Sequence, residues 1–462
     1  MGTLGKENMK LNNIHSIYFI GIGGIGMSAL ARYFNARGVQ VAGYDRTETP
    51  LTKKLVEEGI QVRYEESVAT LPKDVNLVVY TPAVPATHTE LTWFRENGFP
   101  VYKRSQVLGV ISEGMRTVAV AGTHGKTTTS TLTTHLLHAC GISCNAFLGG
   151  VARNFESNFV EGSTDWVVVE ADEFDRSFLT LHPDLATIMS MDADHLDIYG
   201  DEETLLQTGF LAFAGQLKPG GRLLVKAGLE GHYESLDKEV VSFGIEEGQI
   251  QARNIRVEEG YFTFDYHGEE VVIKGLQHPH PGRHNIENAL AAISVAIQLG
   301  GKAGDIRQGL LDFRGIGRRF EFQIRTADSA YIDDYAHHPT ELQAAIGAAR
   351  ELYPDKKVTG IFQPHLFTRT RDFVEGFAAA LDELDEILLL DIYPAREEPI
   401  AGVDSALIHR HMKNTNCQLL SKAEVLGELA KRDIEVLLTL GAGDIDTLVN
   451  PIREQLLVSQ QQ

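Results

Sequence analysis

Short apolar runs alternate with amphipathic stretches over the first hundred residues, the pattern of a parallel sheet wrapped by helices. Ser16–Ile20 reads as a strand, Gly24–Ala36 as a helix stopped by Gly38, Val39–Tyr44 as the next strand and Val75–Tyr80 as a further buried one. A connecting helix is predicted near Ser105–Ser112. The pattern then restarts at Met115, with a strand at Thr117–Ala121. Strands follow at Trp166–Val169 and Leu185–Met189. From Arg222 to Lys274 apolar and polar residues alternate with few helix signals, which suggests antiparallel strands, and Asn285–Leu299 has the apolar spacing of a packed helix. A turn-rich basic stretch, "FRGIGRRF" at Phe313–Phe320, reads as a hinge. Beyond it, strands at Tyr331–Asp333, Val358–Phe362, Glu386–Leu390 and Val436–Leu440 alternate with helices. The expected organisation is α/β in three domains, 1–112, 113–318 and 319–462.

Length agrees with that division, since 462 residues at roughly 100–200 per domain make about three. Hydrophobic residues at 43% and charged residues at 23% are ordinary for a folded soluble chain. Charge changes the picture more. With 42 Lys and Arg against 63 Asp and Glu the formal net charge is −21, which argues against a nucleic-acid or anionic-membrane binder. A phosphate ligand must then be held locally, by backbone amides and a few placed Lys or Arg residues. The three cysteines, Cys140, Cys144 and Cys417, make neither a disulfide framework nor a zinc site and suit a reducing compartment. No window of about 18 apolar residues occurs and the start is polar, so no membrane span and a cytoplasmic location are expected.

Two glycine loops each follow a predicted strand and open a helix. In Gly21-Ile22-Gly23-Gly24-Ile25-Gly26 the glycines allow a tight turn, and the helix N-terminus offers unpaired N–H groups to a diphosphate. Asp45 ends the next strand about 20 residues on, where a carboxylate can accept a ribose hydroxyl. A glycine turn needed only for packing reads the same, and the motif does not say which nucleotide is bound. Gly122-Thr123-His124-Gly125-Lys126-Thr127-Thr128 ends like a phosphate-binding loop, with Lys126 for the β/γ-phosphates and Thr127 for Mg²⁺; Val120 stands where such loops usually begin with glycine. Glu170 ends an apolar strand where such enzymes place a metal-binding acid. His195, in Asp192-Ala193-Asp194-His195, lies beside carboxylates after another strand and is a candidate ligand for a second cation. His284, Asn285 and Asn288 open a helix with groups that suit a polar heterocycle or a helix cap. Asp334, Tyr335 and His337 follow a strand in the last segment, and Arg369 lies after the strand Val358–Phe362.

In this order, over nearly the whole chain, the motifs resemble the Mur ligases, ATP-dependent amide-forming enzymes of bacterial cell-wall synthesis. "IGGIGMS", "VAGTHGKTTT", "VEADEFD", "DADHLDIYG", "PGRHNIENALAA", "GIGRRFE", "DDYAHHPTEL", "FQPHLFTRTRDF" and "TLGAGDID" carry the likeness. The resemblance implies a Rossmann-like N-terminal domain, a central P-loop ATPase-like domain with extra antiparallel strands, and a Rossmann-like C-terminal domain. It implies that Gly21, Gly23, Gly24, Gly26, Asp45 and Thr81 bind the UDP part of a sugar nucleotide rather than NAD. Lys126 is implied for the transferring phosphate, with Gly122, Thr123, His124, Gly125 and Thr128 around it. Thr127 and Glu170 are implied for one Mg²⁺ and His195 for a second. His284, Asn285 and Asn288 are implied for adenine, Arg319 for the phosphates and Asp334 for the ATP ribose. Tyr335, His337 and Arg369 are implied for the amino-acid pocket.

The opening loop, "FQPH" and "GAGDI" point, within the family, to the member that adds L-alanine to the carboxylate of UDP-N-acetylmuramate, as a monomer or homodimer. Ser190 stands where the family often has Asn, and Leu366 where many alanine-adding members have Arg. No lysine occurs from Asp201 to Leu217, so the carbamoylated lysine of some sister enzymes has no candidate there. "GGVARNFES" and "EADEFD" resemble the ligase that recycles a whole tripeptide, which is the second reading. An NAD-dependent oxidoreductase leaves the Gly122–Thr127 loop unexplained, and a non-catalytic UDP-sugar sensor has no need of it.

Overall fold

The apolar runs of the first hundred residues build a five-stranded sheet from β1 (Ser16–Ile20), β2 (Gln40–Tyr44), β3 (Gln61–Arg63), β4 (Leu77–Tyr80) and β5 (Val101–Lys103), in the order β3-β2-β1-β4-β5. The structure is a computed structural model and describes residues 14–192, 199–258, 261–326, 329–395 and 397–459. Every ladder of this sheet is parallel. The chain leaves β1 toward β2 on one side and returns to β4 on the other, so the carboxyl end of β1 lies at a topological switch point, where such sheets bind ligands. The helix after β1, Ile25–Ala36, buries Met27, Leu30 and Phe34 and ends where Gly38 turns left-handed at φ 75°.

A second sheet repeats the device. It contains β6 (Arg116–Ala121), β7 (Asn145–Ala152), β8 (Ser157–Val160), β9 (Trp166–Glu170), β10 (Leu185–Ile188), β11 (Arg222–Lys226), β12 (Glu239–Ile245), β13 (Ile250–Glu258), β14 (Tyr261–His267) and β15 (Val272–His278). Their order is β15-β14-β13-β12-β11-β10-β6-β9-β7-β8. β6 lies between β9 and β10, parallel to both, and its carboxyl end runs into the Gly122–Gly125 loop and the helix Lys126–Ala139. The antiparallel expectation for Arg222–Lys274 needs correction at its start. β11 runs parallel to β10, β12 parallel to β11, and the first rungs of β13 are parallel to β12. Alternation reports that one face is covered, and a covered face reads alike in either direction. The antiparallel pair β7–β8 sits instead at the opposite edge, in a stretch with no predicted strand.

The third sheet holds β16 (Glu321–Arg325), β17 (Ala330–Asp334), β18 (Val358–Phe362), β19 (Glu386–Leu390), β20 (Cys417–Leu420) and β21 (Val436–Leu440), ordered β16-β17-β21-β18-β19-β20. β16 is antiparallel to β17 and the other ladders are parallel. The carboxyl ends of β17, β21 and β18 therefore lie side by side. That edge carries Asp334, Gly441 and Gln363.

The chain packs into two compact units. One contains the first sheet and most of the second; it runs to Asn254 and adds Phe264–Gln277 and Glu287–Arg314. The other contains the third sheet with Ile255–Thr263 and His278–Ile286, and its long segment begins at Gly315. The division thus falls inside the "FRGIGRRF" stretch. Within the first unit the two sheets share a core, because Ile25–Ala36 also packs on the β7–β8 edge: the Tyr33 ring lies 5.4 Å from that of Phe147 and 5.8 Å from that of Phe159. Burying each such side chain contributes about 1.5–3 kcal/mol. Asn158 of β8 adds a polar clamp. Its amide donates to the Ile25 carbonyl (2.5 Å) and to Ser28 Oγ (3.0 Å), while its oxygen accepts from Arg32, which also pairs with Glu58 at 2.7 Å. The helix that starts at the first glycine loop is thereby fixed to the second sheet.

Candidate active site

In the first glycine loop each glycine has its own reason. Gly21 takes φ 85°, its N–H donates to the Tyr44 carbonyl at 2.8 Å, and a Cβ there would lie 2.8 Å from the Thr81 methyl. Gly23 donates to Asp45 Oδ2 at 2.7 Å, and Thr47 N–H donates to Asp45 Oδ1 at 3.2 Å. Asp45 thus holds the loop through both of its oxygens. Gly24 caps the helix with no side-chain hydrogen bond, which leaves the amides of the first turn for a ligand. At Gly26 a Cβ would meet the Arg104 side chain, 2.9 Å from Cδ and 3.1 Å from Nη1. The structure brings Thr81, Asp45 and the four glycines of this loop together at the carboxyl ends of β1, β2 and β4.

The second loop is closed by hydrogen bonds to the end of β10. Gly122 takes φ 135°, and a Cβ on it would stand 2.9 Å from the Ser190 amide nitrogen. The Ser190 hydroxyl accepts from His124 N–H (2.8 Å) and shares a hydrogen with Thr123 Oγ1 (2.9 Å), which itself accepts from Asp192 N–H (3.0 Å). His124 Nε2 lies 3.5 Å from Asp192 Oδ2. Gly125, at φ 80°, caps the helix Lys126–Ala139, again with no side-chain cap, and a Cβ there would fall 2.8 Å from Asn288 Oδ1. That oxygen accepts from Thr129 Oγ1 at 3.1 Å. Thr127 is buried in the first turn and Thr128 follows it, half-buried.

Lys126 folds back over this loop. Its ammonium donates to the Gly122 carbonyl (2.7 Å) and to both oxygens of Glu173 (2.8 and 3.1 Å), a carboxylate with no exposed side-chain surface. Burial by itself lowers the lysine's pKa. Glu173, with Asp172 and Glu170, outweighs burial and holds it above its ordinary value, so Lys126 is charged at every physiological pH. Glu173 is not among the predicted site residues although "EADEFD" contains it; a second glutamate three residues after Glu170 is the available signal. Glu170 ends β9 against β7, where a Cβ on Gly149 would overlap its carboxylate oxygens. Asp175 and Arg176 then turn left-handed, at φ 52° and 55°. A pocket in this unit is lined by Glu170, Asp172, Ser177, Phe178, Leu181, Ser105, Leu108 and Arg104. His195 lies outside the described residues.

Two or more protein oxygens suffice for Mg²⁺, which keeps much of its water and takes the rest of its shell from phosphates. A helix N-terminal threonine and a strand-end carboxylate with space kept beside it fit that demand. Among the described residues no cluster of three His, Cys, Asp or Glu forms a self-contained metal cage.

The other unit has its own cluster at the carboxyl end of β17. Asp334 Oδ2 accepts from Phe320 N–H (2.6 Å) and Oδ1 from Ala336 N–H (2.7 Å). Burial pushes its carboxyl up to about 6, against the pull of Arg319 and those amides. Glu341 joins Arg319 to His337: its Oε1 lies 3.7 Å from Arg319 Nη1 and its Oε2 3.1 Å from His337 Nδ1. The guanidiniums of Arg318 and Arg319 both lie 5.2 Å from the Tyr335 ring centre. Arg318 is anchored in the sheet by Asp333 (3.1 Å) and the Gly441 carbonyl (2.6 Å), so the two arginines differ in task. His365 and Tyr393, neither of them predicted, extend the group. Their rings stack at 5.8 Å, and His365 lies 5.9 Å from His337. Leu366 is buried and takes φ 72°, a strained value for a branched side chain, at the start of the helix Phe367–Asp372 that carries Arg369. Gln363 ties "FQPH" to "GAGDID", donating to Asp444 (2.8 Å) and accepting from Ile445 N–H (2.9 Å). In the same unit Asn285 donates to the Pro281 carbonyl at 2.7 Å, so it serves as a turn clasp, and His284 lies against Gly282.

Family models for three consecutive regions match this chain: the catalytic domain of the Mur ligase family over residues 16–116, the Mur ligase middle domain over 120–296, and the Mur ligase glutamate ligase domain over 318–444. The chain belongs to the Mur ligase family. Among curated proteins it is 49% identical to a UDP-N-acetylmuramate–L-alanine ligase of Phocaeicola vulgatus, covering 96% of this chain and 98% of that one. It is also 49% identical to the ligase of the same name from Parabacteroides distasonis, over 97% and 98%. The solved structure of MurC, UDP-N-acetylmuramate-alanine ligase, from Thermotoga maritima matches with a TM-score of 0.82 and 29% identity over 96% of this chain and 99% of that one. A murein peptide ligase from Psychrobacter arcticus shares the fold at 23% identity and a TM-score of 0.70, over 96% and 98%. The three sheets are thus those of the three-domain Mur ligase fold.

Against this family background Ser190 has a definite place. Its hydroxyl closes the loop through hydrogen bonds with Thr123 and His124. Leu366 has none of the hydrogen-bonding capacity of the arginine it replaces, and its main-chain N–H donates to the Tyr393 carbonyl at 3.0 Å. No helix of the described residues is long and apolar enough to cross a membrane.

Proposed function

We infer that this Mur ligase joins L-alanine to the muramoyl carboxylate of UDP-N-acetylmuramate, with conversion of ATP to ADP and phosphate. The near-complete overlap with alanine-adding relatives carries the reading, and the second loop supplies the chemistry. The carboxylate attacks the γ-phosphorus of ATP and gives an acyl phosphate. The alanine amine then attacks the activated carbonyl and expels phosphate. No bond to the protein is needed, so its residues position and neutralise. Lys126 offsets charge on the phosphoryl group in transit, a contact worth most in the transition state. Amides from Gly125 onward cradle the phosphates, and Arg319 and Asp334 are assigned to the ATP phosphates and ribose. A bound Mg²⁺, held by Thr127 and Glu170, supplies further charge neutralisation; a second is assigned to His195. Tyr335, His337 and Arg369 shape the alanine pocket, joined by His365 and Tyr393. Because Leu366 offers no cation, the alanine carboxylate falls to Arg369. Substrates of this kind and three unpaired cysteines support a cytoplasmic location.

The test is direct. Purified protein is incubated with UDP-N-acetylmuramate, ATP and Mg²⁺, with either L-alanine or the L-Ala-D-Glu-diaminopimelate tripeptide, and products are identified by mass. The expected result is growth of the nucleotide by one alanine with one ADP per product. A tripeptide adduct in place of it, or no ADP with either amine, overturns the assignment.

A further inference from the structure

The strand β18 and the helix Phe367–Asp372 meet at a corner that needs holding. Leu366, buried there at φ 72° in a region that branched side chains avoid, is the N-cap of the helix and offers no side-chain acceptor to its first turn. A helix of six residues is too short to keep itself in place. The hold comes from the chain after β19. Tyr393 N–H donates to the Pro364 carbonyl (2.8 Å) and Leu366 N–H donates to the Tyr393 carbonyl (3.0 Å), a parallel bridge centred on His365, and the His365 and Tyr393 rings stack at an interplanar angle of 19°. A Cβ on Gly443 would stand 2.7 Å from Tyr393 Cβ, so "GAGDID" backs Tyr393 closely. Glu397 then supplies the missing cap. One of its oxygens accepts from Thr368 N–H at 3.0 Å and the other from the Thr368 hydroxyl. A carboxylate in that place also meets the positive end of the helix. Arg369 is the next residue.

We propose that Glu397 is a positioning residue for Arg369: it fixes the first turn of this helix so that the guanidinium stands ready for the carboxylate of the incoming L-alanine. The inference deepens the ligase reading and rests on it. With leucine at 366 that recognition falls to one arginine, whose long side chain has many rotamers to lose. A helix free to fray spreads its guanidinium over many positions. One tied at Thr368 presents it in few, and the less freedom is given up on binding, the tighter the carboxylate is held. The other role open to a carboxylate here is to accept the substrate's ammonium. The contacts speak against it, since both oxygens are engaged by Thr368, and a carboxylate left open in the pocket would repel the group that Arg369 is there to bind.

The experiment compares the full chain with Glu397→Ala in steady-state kinetics on L-alanine and on L-alaninamide, which keeps the amine and lacks the carboxylate. Glu397→Ala is expected to raise KM for L-alanine about 3- to 30-fold, the range of a lost helix cap, with kcat within a few-fold of the parent's and KM for ATP and UDP-N-acetylmuramate unchanged. The preference for alanine over alaninamide in kcat/KM should fall by the same factor, and Glu397→Asp should recover part of it. In Arg369→Ala the preference is lost, and adding Glu397→Ala should lower it no further. Thr368→Val, which removes the hydroxyl half of the contact, should shift KM the same way by less and keeps the test alive if Glu397→Ala does not fold. An unchanged KM for alanine in both variants overturns the proposal, as does failure of both to fold. Equal losses with alanine and alaninamide overturn it in favour of an ammonium-binding or purely structural role. An Arg369→Ala enzyme with the parent's preference removes the carboxylate assignment and this inference with it, whereas a parent that forms no alanine product removes the ligase reading itself.

Discussion

Replacing Lys126 by Met removes the ammonium that hydrogen-bonds both oxygens of Glu173, and the structure says what that costs. The lysine side chain is 13% exposed and that of Glu173 0%, so the carboxylate is left buried beside Asp172 and Glu170 without that counter-charge. Breaking a buried pair from one side costs about 3–5 kcal/mol. In a unit of this size that lowers the unfolding midpoint by on the order of 10 °C. Turnover should fall at least about 100-fold, because a donor to the transferring phosphoryl group is lost. The two effects separate in the double variant Lys126→Met/Glu173→Gln, where a neutral amide replaces the stranded charge. Its thermal midpoint should return most of the way to the parent's while turnover stays lost. Circular dichroism melts report the first quantity and a coupled ADP assay the second. A single variant as stable as the parent would refute the buried-pair account, and a double variant with restored turnover would refute the role of Lys126 in phosphoryl transfer.

Two further outcomes follow from particular contacts. Gly149→Ala places a methyl where the Glu170 carboxylate now lies, so Glu170 must move: kcat is expected to fall at least about 100-fold with UDP affinity unchanged, and retained kcat excludes the crowding argument. Asp334, pushed up to about 6 from an ordinary 3.8, should ionise within the working range. KM for ATP should then rise about tenfold from pH 7 to pH 5 as the ribose acceptor is protonated, and Asp334→Asn should flatten that profile. The stability term has the opposite sense. The folded state holds this proton more tightly than the unfolded one, so the contribution of Asp334 to stability falls as pH rises between about 4 and 6. A parent profile as flat as that of Asp334→Asn would sink the assignment.

The parallel strands and both loops are legible in the sequence because each is a local signal: an apolar run, then glycines, then a helical period. Val358–Phe362, Glu386–Leu390 and Val436–Leu440 stand in the fold within the predicted limits. Short edge strands such as β3 and β5, three residues each, carry too little pattern to be seen. The direction of β11 and β12 is misread because alternation has no sense of direction. At the site, groups that act through main-chain N–H are legible and groups that act through a distant partner are not. Glu173 is one acid among several in its segment until the fold brings Lys126 to it. Arg104 is one more surface arginine until Gly26 is beside it, and His365 and Tyr393 are far apart in sequence until their rings stack. The expected roles of Asp45 and Asn285 also gain content from the fold, since each side chain already holds a turn of its own loop.

The carboxylates beside the second loop bear on how a phosphate is received there. Beside the second loop one ammonium, Lys126, faces three carboxylates, Glu173, Asp172 and Glu170. A triphosphate entering such a place is repelled unless it brings cations with it. The loop amides alone are too few to offset that charge, because a helix N-terminus is equivalent to roughly half an elementary charge. The arrangement therefore predicts that ATP binds more tightly with Mg²⁺ than as the free anion, which titration with and without the metal checks; equal affinity would refute the charge argument.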